Sequence, residues 1–156
     1  MEIFVRNECR GIKVDTRKIK LQIGKVLGSM NCNEHEISIL FVGDQGIRDL
    51  NRQFRGMDRP TDVLSFPQLL EGEPEPPGAL VLGDVAISLE TARHQSKDHG
   101  LSLGEELTLL LIHGILHLLG YDHEISDREE ERMRKKTREL FEMIYPGKKL
   151  ADTCNF

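Results

Sequence analysis

The stretch Leu107 to His123, read as LTLLLIHGILHLLGYDH, constrains this chain more than any other. Its last eleven residues hold three of the six histidines, spaced H-x-x-x-H-x-x-G-x-x-H. His113 and His117 are four apart, so on an α-helix they project from one face, about one turn from each other. Gly120 is the residue best able to end that helix in a left-handed conformation, and a turn there returns His123 toward the other two. Three imidazoles converging on one point, with a fourth position open, form the ligand set of a catalytic rather than a structural zinc site. A lone histidine in an apolar helix is usually a hydrogen-bonded core residue. Two on one face would bury several ring nitrogens, each costing about 1–3 kcal/mol if unpaired. A metal pairs one nitrogen of each ring, and neighbouring acceptors take the other. His35, His94 and His99 lie in charged or turn-like contexts without evident partners, and they are not read as ligands.

Neutral imidazole suits zinc, although nickel, copper and iron accept the same donors. Water on zinc has its pKa lowered to about 7, which supplies a hydroxide nucleophile at neutral pH. The implied chemistry is metal-assisted hydrolysis. The spacing is similar to the metzincin protease signature H-E-x-x-H-x-x-G-x-x-H, but Gly114 stands where those proteases carry their general-base glutamate. Glycine can neither take a proton from water nor deliver one to a leaving amine. A phosphodiester is the better substrate, because its transition state needs positive charge around the non-bridging oxygens. Arg48, Arg52, Arg55 and Arg59 crowd one helix end and its loop, against only Asp49 and Asp58. Guanidinium forks match phosphate geometry, although a solvated helix face is the default for any one of them. Asp122 and Glu124, beside His123, are candidates for acid or base.

The remainder of the chain reads as one α+β domain over residues 1–156, long enough to bury a core without disulfides. Its net charge of −5 requires any nucleic-acid contact to be a local basic patch. Cys9, Cys32 and Cys154 form no C-x-x-C pair and suit reduced thiols. MEIFVRNE has no basic n-region followed by an apolar run, so no signal peptide is expected, and the apolar run Leu107 to Leu119 is too short to span a bilayer. The expected location is cytoplasmic. Periodicity and caps predict a strand at Ile3 to Val5, a helix from Thr16 with Ile19, Ile23, Val26, Leu27 and Met30 inward, and a buried strand from Glu36 to Gly43. Asp44 is expected to cap a second helix with Ile47, Leu50 and Phe54 inward, ending at Gly56. A strand at Val63 to Phe66 and another at Ala79 to Ser88 flank a proline-rich loop, residues 67–78, and should pair antiparallel. Ser88 caps a helix to His99, stopped by Gly100. Ser102 and Ser126 open the last two helices as capping boxes with Glu105 and Glu129, the last with Met133, Leu140, Phe141 and Ile144 inward. The result is a small mixed four-stranded sheet with about five helices, the zinc site on a central apolar helix.

HGILHLLGYDH, with FRGMDRPTDVLSFP and LGDVAIS, strongly resembles the YbeY family of metal-dependent endoribonucleases, over most of the chain. The resemblance implies that His113, His117 and His123 bind one zinc ion and that Arg55 is functionally essential. It implies cleavage of single-stranded RNA, maturation of the 3′ end of small-subunit ribosomal RNA, ribosome quality control, and association with the small subunit and an Era-type GTPase. Phe54 replaces the commoner tyrosine, and Met57 stands where lysine is frequent. Asp62, Ser65 and Asp84 fall in matching motifs, with structural roles expected: a turn hydrogen bond for Asp62 and a strand-end one for Asp84.

The expected function is therefore that of a zinc-dependent endoribonuclease. Water, hydroxide or the RNA's own 2′-hydroxyl attacks phosphorus, and Arg55 stabilises the developing charge. Two alternatives differ in class. A zinc peptidase is disfavoured by Gly114. A non-catalytic ribosome-assembly factor would use zinc as a structural clip and would need a fourth protein ligand, for which Asp122 and His99 are the candidates.

Overall fold

The computed structural model describes residues 2–67 and 81–150. The proline-rich stretch from 68 onward, the expected strand start at Ala79, and Cys154 lie outside the described residues. The elements are β1 (Glu2–Asn7), α1 (Thr16–Ser29), β2 (Glu36–Val42), α2 (Asp44–Arg55), β3 (Val63–Pro67), β4 (Val81–Ser88), α3 (Leu89–His99), α4 (Leu103–Leu118) and α5 (Asp127–Ile144). The four strands form one mixed sheet in the order β1-β2-β4-β3. β1 and β4 run parallel to β2, whereas β3 pairs antiparallel with β4 and forms an edge. The α+β class, the mixed sheet and the five helices agree with the sequence-based expectation.

Alternation along the strands divides the sheet into two faces. Ile37, Ile39, Phe41, Val85 and Ile87 face the main core, where α1, α4 and α5 contribute Ile23, Leu27, Leu110, Ile112 and Phe141. The opposite face carries a smaller cluster of Val42, Leu64 and Ala86 beneath Ile47 of α2. α4 packs against α1, α3, α5, β3 and β4 together, and every residue from Glu106 to Ile112 is buried. A helix apolar on all sides is stable only when surrounded, which explains the leucine run. No single helix among the described residues is long and apolar enough to cross a membrane.

α4 begins as expected: Ser102 Oγ accepts the Glu105 N–H and Glu105 reaches back to the Ser102 N–H. Ser126 likewise accepts the Glu129 N–H, but the Glu129 carboxylate turns to Arg132 at 3.2 Å. At α2 the expectation fails twice. Gly43, not Asp44, is the N-cap. The Asp44 carboxylate instead accepts the Ser88 hydroxyl (2.6 Å) and the Thr91 hydroxyl, while the Asp44 N–H donates to Glu90. Two helix N-termini are thus tied together, which satisfies orphan donors of α2 from the neighbouring helix. Phe54 does not face inward. It is 60% exposed, and the buried partner of Ile47 is Asn51, whose amide donates to the Arg59 carbonyl at 2.9 Å. Leu50, expected inward, is half-buried against the same small cluster, and the inner face ends before Phe54. Asp84 lies in mid-strand rather than at a strand end, opposite Phe66.

The buried carboxylate of Glu106 has no exposed surface and meets His99 Nδ1 at 2.8 Å, joining α4 to the end of α3. His99 therefore has the partner that its sequence context did not reveal. Burial raises the Glu106 pKa, against the pull of His99.

The helix–sheet contact is tightest at Gly114. A Cβ placed there would lie 2.8 Å from Val85 Cγ1, 3.2 Å from Val85 Cγ2 and 3.3 Å from Ser65 Oγ. The Ser65 hydroxyl donates to the Gly114 carbonyl at 3.1 Å and fixes the approach. Gly114→Ala should destabilise the protein by about 1–2 kcal/mol, the overpacking cost outweighing the roughly 1 kcal/mol gain in helix propensity. Combined with Val85→Ala it should cost less than the sum of the single changes, as read from urea-unfolding midpoints. Because the folded pKa of Glu106 lies above its unfolded value, its protonated form favours folding below that value of 4.5, and this contribution is lost as pH rises through the folded pKa. Glu106→Gln should therefore flatten the fall in stability above pH 4.5, measured by unfolding the two proteins across that range.

Candidate metal centre and phosphate site

The last turns of α4 present His113 and His117 side by side, with Nε2 atoms 3.1 Å apart and ring centroids 4.6 Å apart. The helix then closes in the glycine-dependent manner expected. Gly120 has φ +94°, its N–H donates to the His117 carbonyl at 3.1 Å, and the Tyr121 N–H donates to the Leu116 carbonyl at 2.9 Å. This pair of bonds is a Schellman motif. It returns the chain so that His123 lies 5.4 and 5.2 Å, centroid to centroid, from His113 and His117. The Asp122 carboxylate accepts the Glu124 N–H at 2.8 Å and stiffens the turn from within. The Arg132 guanidinium, from α5, lies 4.2 Å above the Tyr121 ring and holds the turn from outside.

One ring nitrogen from each histidine lies within 4.8 Å of the others. Nitrogens held at about 2.0–2.1 Å around a tetrahedral ion are about 3.3 Å apart, so the His113–His117 pair already stands at ligand spacing. Burial first, then the neighbouring His117 and His123, together drive the His113 pKa down to about 3. Burial, then His123, lowers that of His117 as well. Both rings are neutral at pH 7 and offer lone pairs. His123 Nδ1 is buried without a hydrogen-bond partner among the described residues. A metal ion fits this donor set, and the chemistry of three imidazoles favours zinc, copper or nickel over the hard oxygen-seeking cations.

The histidines open into a pocket of about 460 Å³ that Arg55, Asp62 and Ser65 also line. Arg55 is the final residue of α2. Gly56, at φ +70°, ends the helix there, and Arg55 Nη2 donates to the Ser65 carbonyl at 3.4 Å. The other arginines of the cluster do not line the pocket. Arg48 pairs with Asp58 at 2.8 Å and Arg52 with Asp49 at 3.2 Å, both on the surface, while Arg59 Nη2 contacts Met57 Sδ at 3.8 Å. The Asp62 carboxylate accepts the N–H of the next residue, Val63, at 2.8 Å, a bond at the start of β3 and not one that spans a turn, and Asp62 also lines the pocket. Asp122 and Glu124 line the same pocket on the histidine side. Sequence reasoning missed Ser65 as the fastener between β3 and α4. The signal for it was the glycine inside the metal-ligand spacing, which marks a close backbone approach.

A family model described as Endoribonuclease YbeY matches residues 4–145. Endoribonuclease YbeY of Syntrophus aciditrophicus is 41% identical over 146 residues, covering 93% of this chain and 91% of that protein. The protein of the same name from Persephonella marina is 44% identical over 142 residues, covering 91% and 92%. Among solved structures, the solution structure of TM1509 from Thermotoga maritima is similar with a TM-score of 0.63 and 27% identity, over 94% of this chain and 99% of that one. With a match running from the first strand to the end of the last helix, the chain belongs to the YbeY endoribonuclease family.

Proposed function

We propose that this protein is a zinc-dependent endoribonuclease that cuts single-stranded RNA, with His113, His117 and His123 as the metal ligands and Arg55 as the catalytic cation. The observation that carries this reading is that the three-imidazole cluster and Arg55 line one pocket. When bound, zinc supplies a Lewis acid and lowers the pKa of its water to about 7. The protein's own groups do the rest. The Arg55 guanidinium, held by the Ser65 carbonyl, grips the non-bridging oxygens and strengthens that grip as charge develops on them. The carboxylates of Asp62, Asp122 and Glu124 are the pocket groups able to accept or return a proton at their oxygens. The names of the relatives support RNA as the substrate. From the resemblance of its motifs to the family, beyond what those names say, we further propose a role in small-subunit ribosomal RNA maturation and ribosome quality control, in the cytoplasm, with the small subunit and an Era-type GTPase as partners.

Two observations favour this reading over a structural zinc clip. His99 is engaged by Glu106 in the helical core, and Asp122 Oδ1 accepts the Glu124 N–H within its own turn. Neither candidate joins the cluster of three histidines. His113→Ala should lose both zinc, by metal analysis, and cleavage of a single-stranded RNA. Arg55→Ala should keep the zinc and lose about 10²–10³-fold in kcat/KM. Arg55→Lys should recover little of it, because a point charge replaces a planar fork. Full zinc content and undiminished cleavage in both alanine variants would sink the proposal.

A further inference from the structure

Phe54 ends on the surface, 60% exposed, although nothing in a polar helix end calls for an aromatic ring there. Its ring tilts 59° against Phe66 at a centroid distance of 5.3 Å, and the exposed part of the side chain stays open to solvent. Both rings line a groove of about 830 Å³ on the face of the sheet opposite α4. The groove runs across the sheet to Phe4, itself 49% exposed, with Arg6 and Lys20 contributing to its wall. Ser38 and Asp84 also line it and carry hydrogen-bonding groups.

The groove and the histidine pocket are separated only by β3. Ser65 faces α4, and its neighbour Phe66 faces the groove, because side chains alternate along a strand. β3 is the edge of the sheet. Arg55 reaches the Ser65 carbonyl at this edge, while Phe54, the preceding residue, turns into the groove. A phosphate gripped by Arg55 therefore has one flanking nucleoside toward the histidines and the other toward the exposed part of Phe54.

We infer that Phe54, backed by Phe66, is a base-stacking subsite for the nucleotide next to the cleaved bond, from which the single-stranded RNA continues along the sheet groove. This rests on the endoribonuclease reading above and adds to it where the substrate lies. The chemistry suits an RNA strand. A nucleobase has an apolar face and polar edges, which match phenylalanine rings beside the Ser38 hydroxyl, and the Lys20 ammonium suits the backbone, Arg6 being paired with Glu8 at 3.0 Å. Stacking on an exposed ring also selects unpaired bases, since a base in a duplex has no free face to offer.

The test uses the zinc-loaded protein and a short single-stranded RNA carrying 2-aminopurine on either side of the cleaved bond, beside the same RNA with an abasic residue there. Phe54→Leu keeps an apolar side chain but removes the ring, and an unchanged thermal unfolding curve verifies the fold. On the normal RNA this variant should lose about 5- to 100-fold in kcat/KM, and Phe54→Tyr should lose almost nothing. The abasic RNA should be cut equally by wild type and Phe54→Leu. Stopped-flow fluorescence before the first turnover should show 2-aminopurine quenched on one side by wild type and not by Phe54→Leu. Equal cleavage of normal RNA by both proteins, with equal quenching, would overturn the inference and leave the groove to a protein partner. If wild type cuts no RNA, the endoribonuclease reading fails instead. Fluorescence then still decides the subsite: ring-dependent quenching upholds it, and no quenching removes it.

Discussion

The approach of α4 to the sheet at Gly114 is the contact on which the rest of the site depends. Val85 and Ser65 occupy the space that any side chain at 114 would need. Because the helix backbone comes this close, the Ser65 hydroxyl can reach the Gly114 carbonyl. That bond joins β3 to the helix turn bearing His113. The same residue's main-chain carbonyl receives Arg55. One serine on an edge strand thus sets the spacing between the imidazoles and the guanidinium. The surrounding leucines keep α4 in place on its other sides, each fully buried Leu or Ile contributing about 1.5–3 kcal/mol.

The polar groups buried with this helix would be costly alone, and each is handled differently. Glu106 is matched by His99, an arrangement that links two helices but contributes little net stability beyond avoiding an unpaired buried carboxylate. Thr108 joins Gln22 and Tyr145 and so ties α4 to α1 and to the chain leaving α5. His113 and His117 instead bring their Nε2 atoms together, 3.1 Å apart. Two neutral rings opposed in this way can share one proton between them, or together donate lone pairs to a cation. Their depressed pKa values favour the second, since protons do not compete for the nitrogens near neutrality.

Local physics made much of the fold legible from sequence. The periods of α1 and β2, the capping box at Ser102, the left-handed stops at Gly56, Gly100 and Gly120, and the antiparallel pairing of β3 with β4 all depend on short-range chemistry. The errors lie where distant segments compete for a group. Asp44 looked like a cap, but the hydroxyls of Ser88 and Thr91, over forty residues away, take its carboxylate. Phe54 looked like core because helical spacing places it near Ile47, yet how wide a face is buried depends on the sheet beneath. Within the arginine cluster, sequence could not separate Arg55 from Arg48 and Arg52. Only the folded positions of Asp49 and Asp58 reveal which guanidinium groups are already committed. The three histidines were legible because a helix turn and one glycine suffice to gather them. Their relation to Arg55 runs through Ser65 and required the sheet.

Gly114 carries two meanings that sequence spacing alone keeps apart. Read as chemistry, it is the missing base of a protease-like signature. Read in the structure, it is the only residue type that leaves Val85 and Ser65 undisturbed. A glutamate there would have to displace the sheet before it could reach a water near the histidines, so the fold excludes the base at that position rather than merely lacking it. Proton handling must then come from outside the helix. On the proposed function, the pocket carboxylates on the turns, Asp62 before β3 and Asp122 and Glu124 around His123, are the candidates for it. Arg55 shares that pocket with the histidines. A cation there suits a phosphodiester, which is anionic before and during reaction, better than a peptide bond, which gains charge only in its transition state. The packing of one glycine therefore bears directly on which bond this site is built to cut.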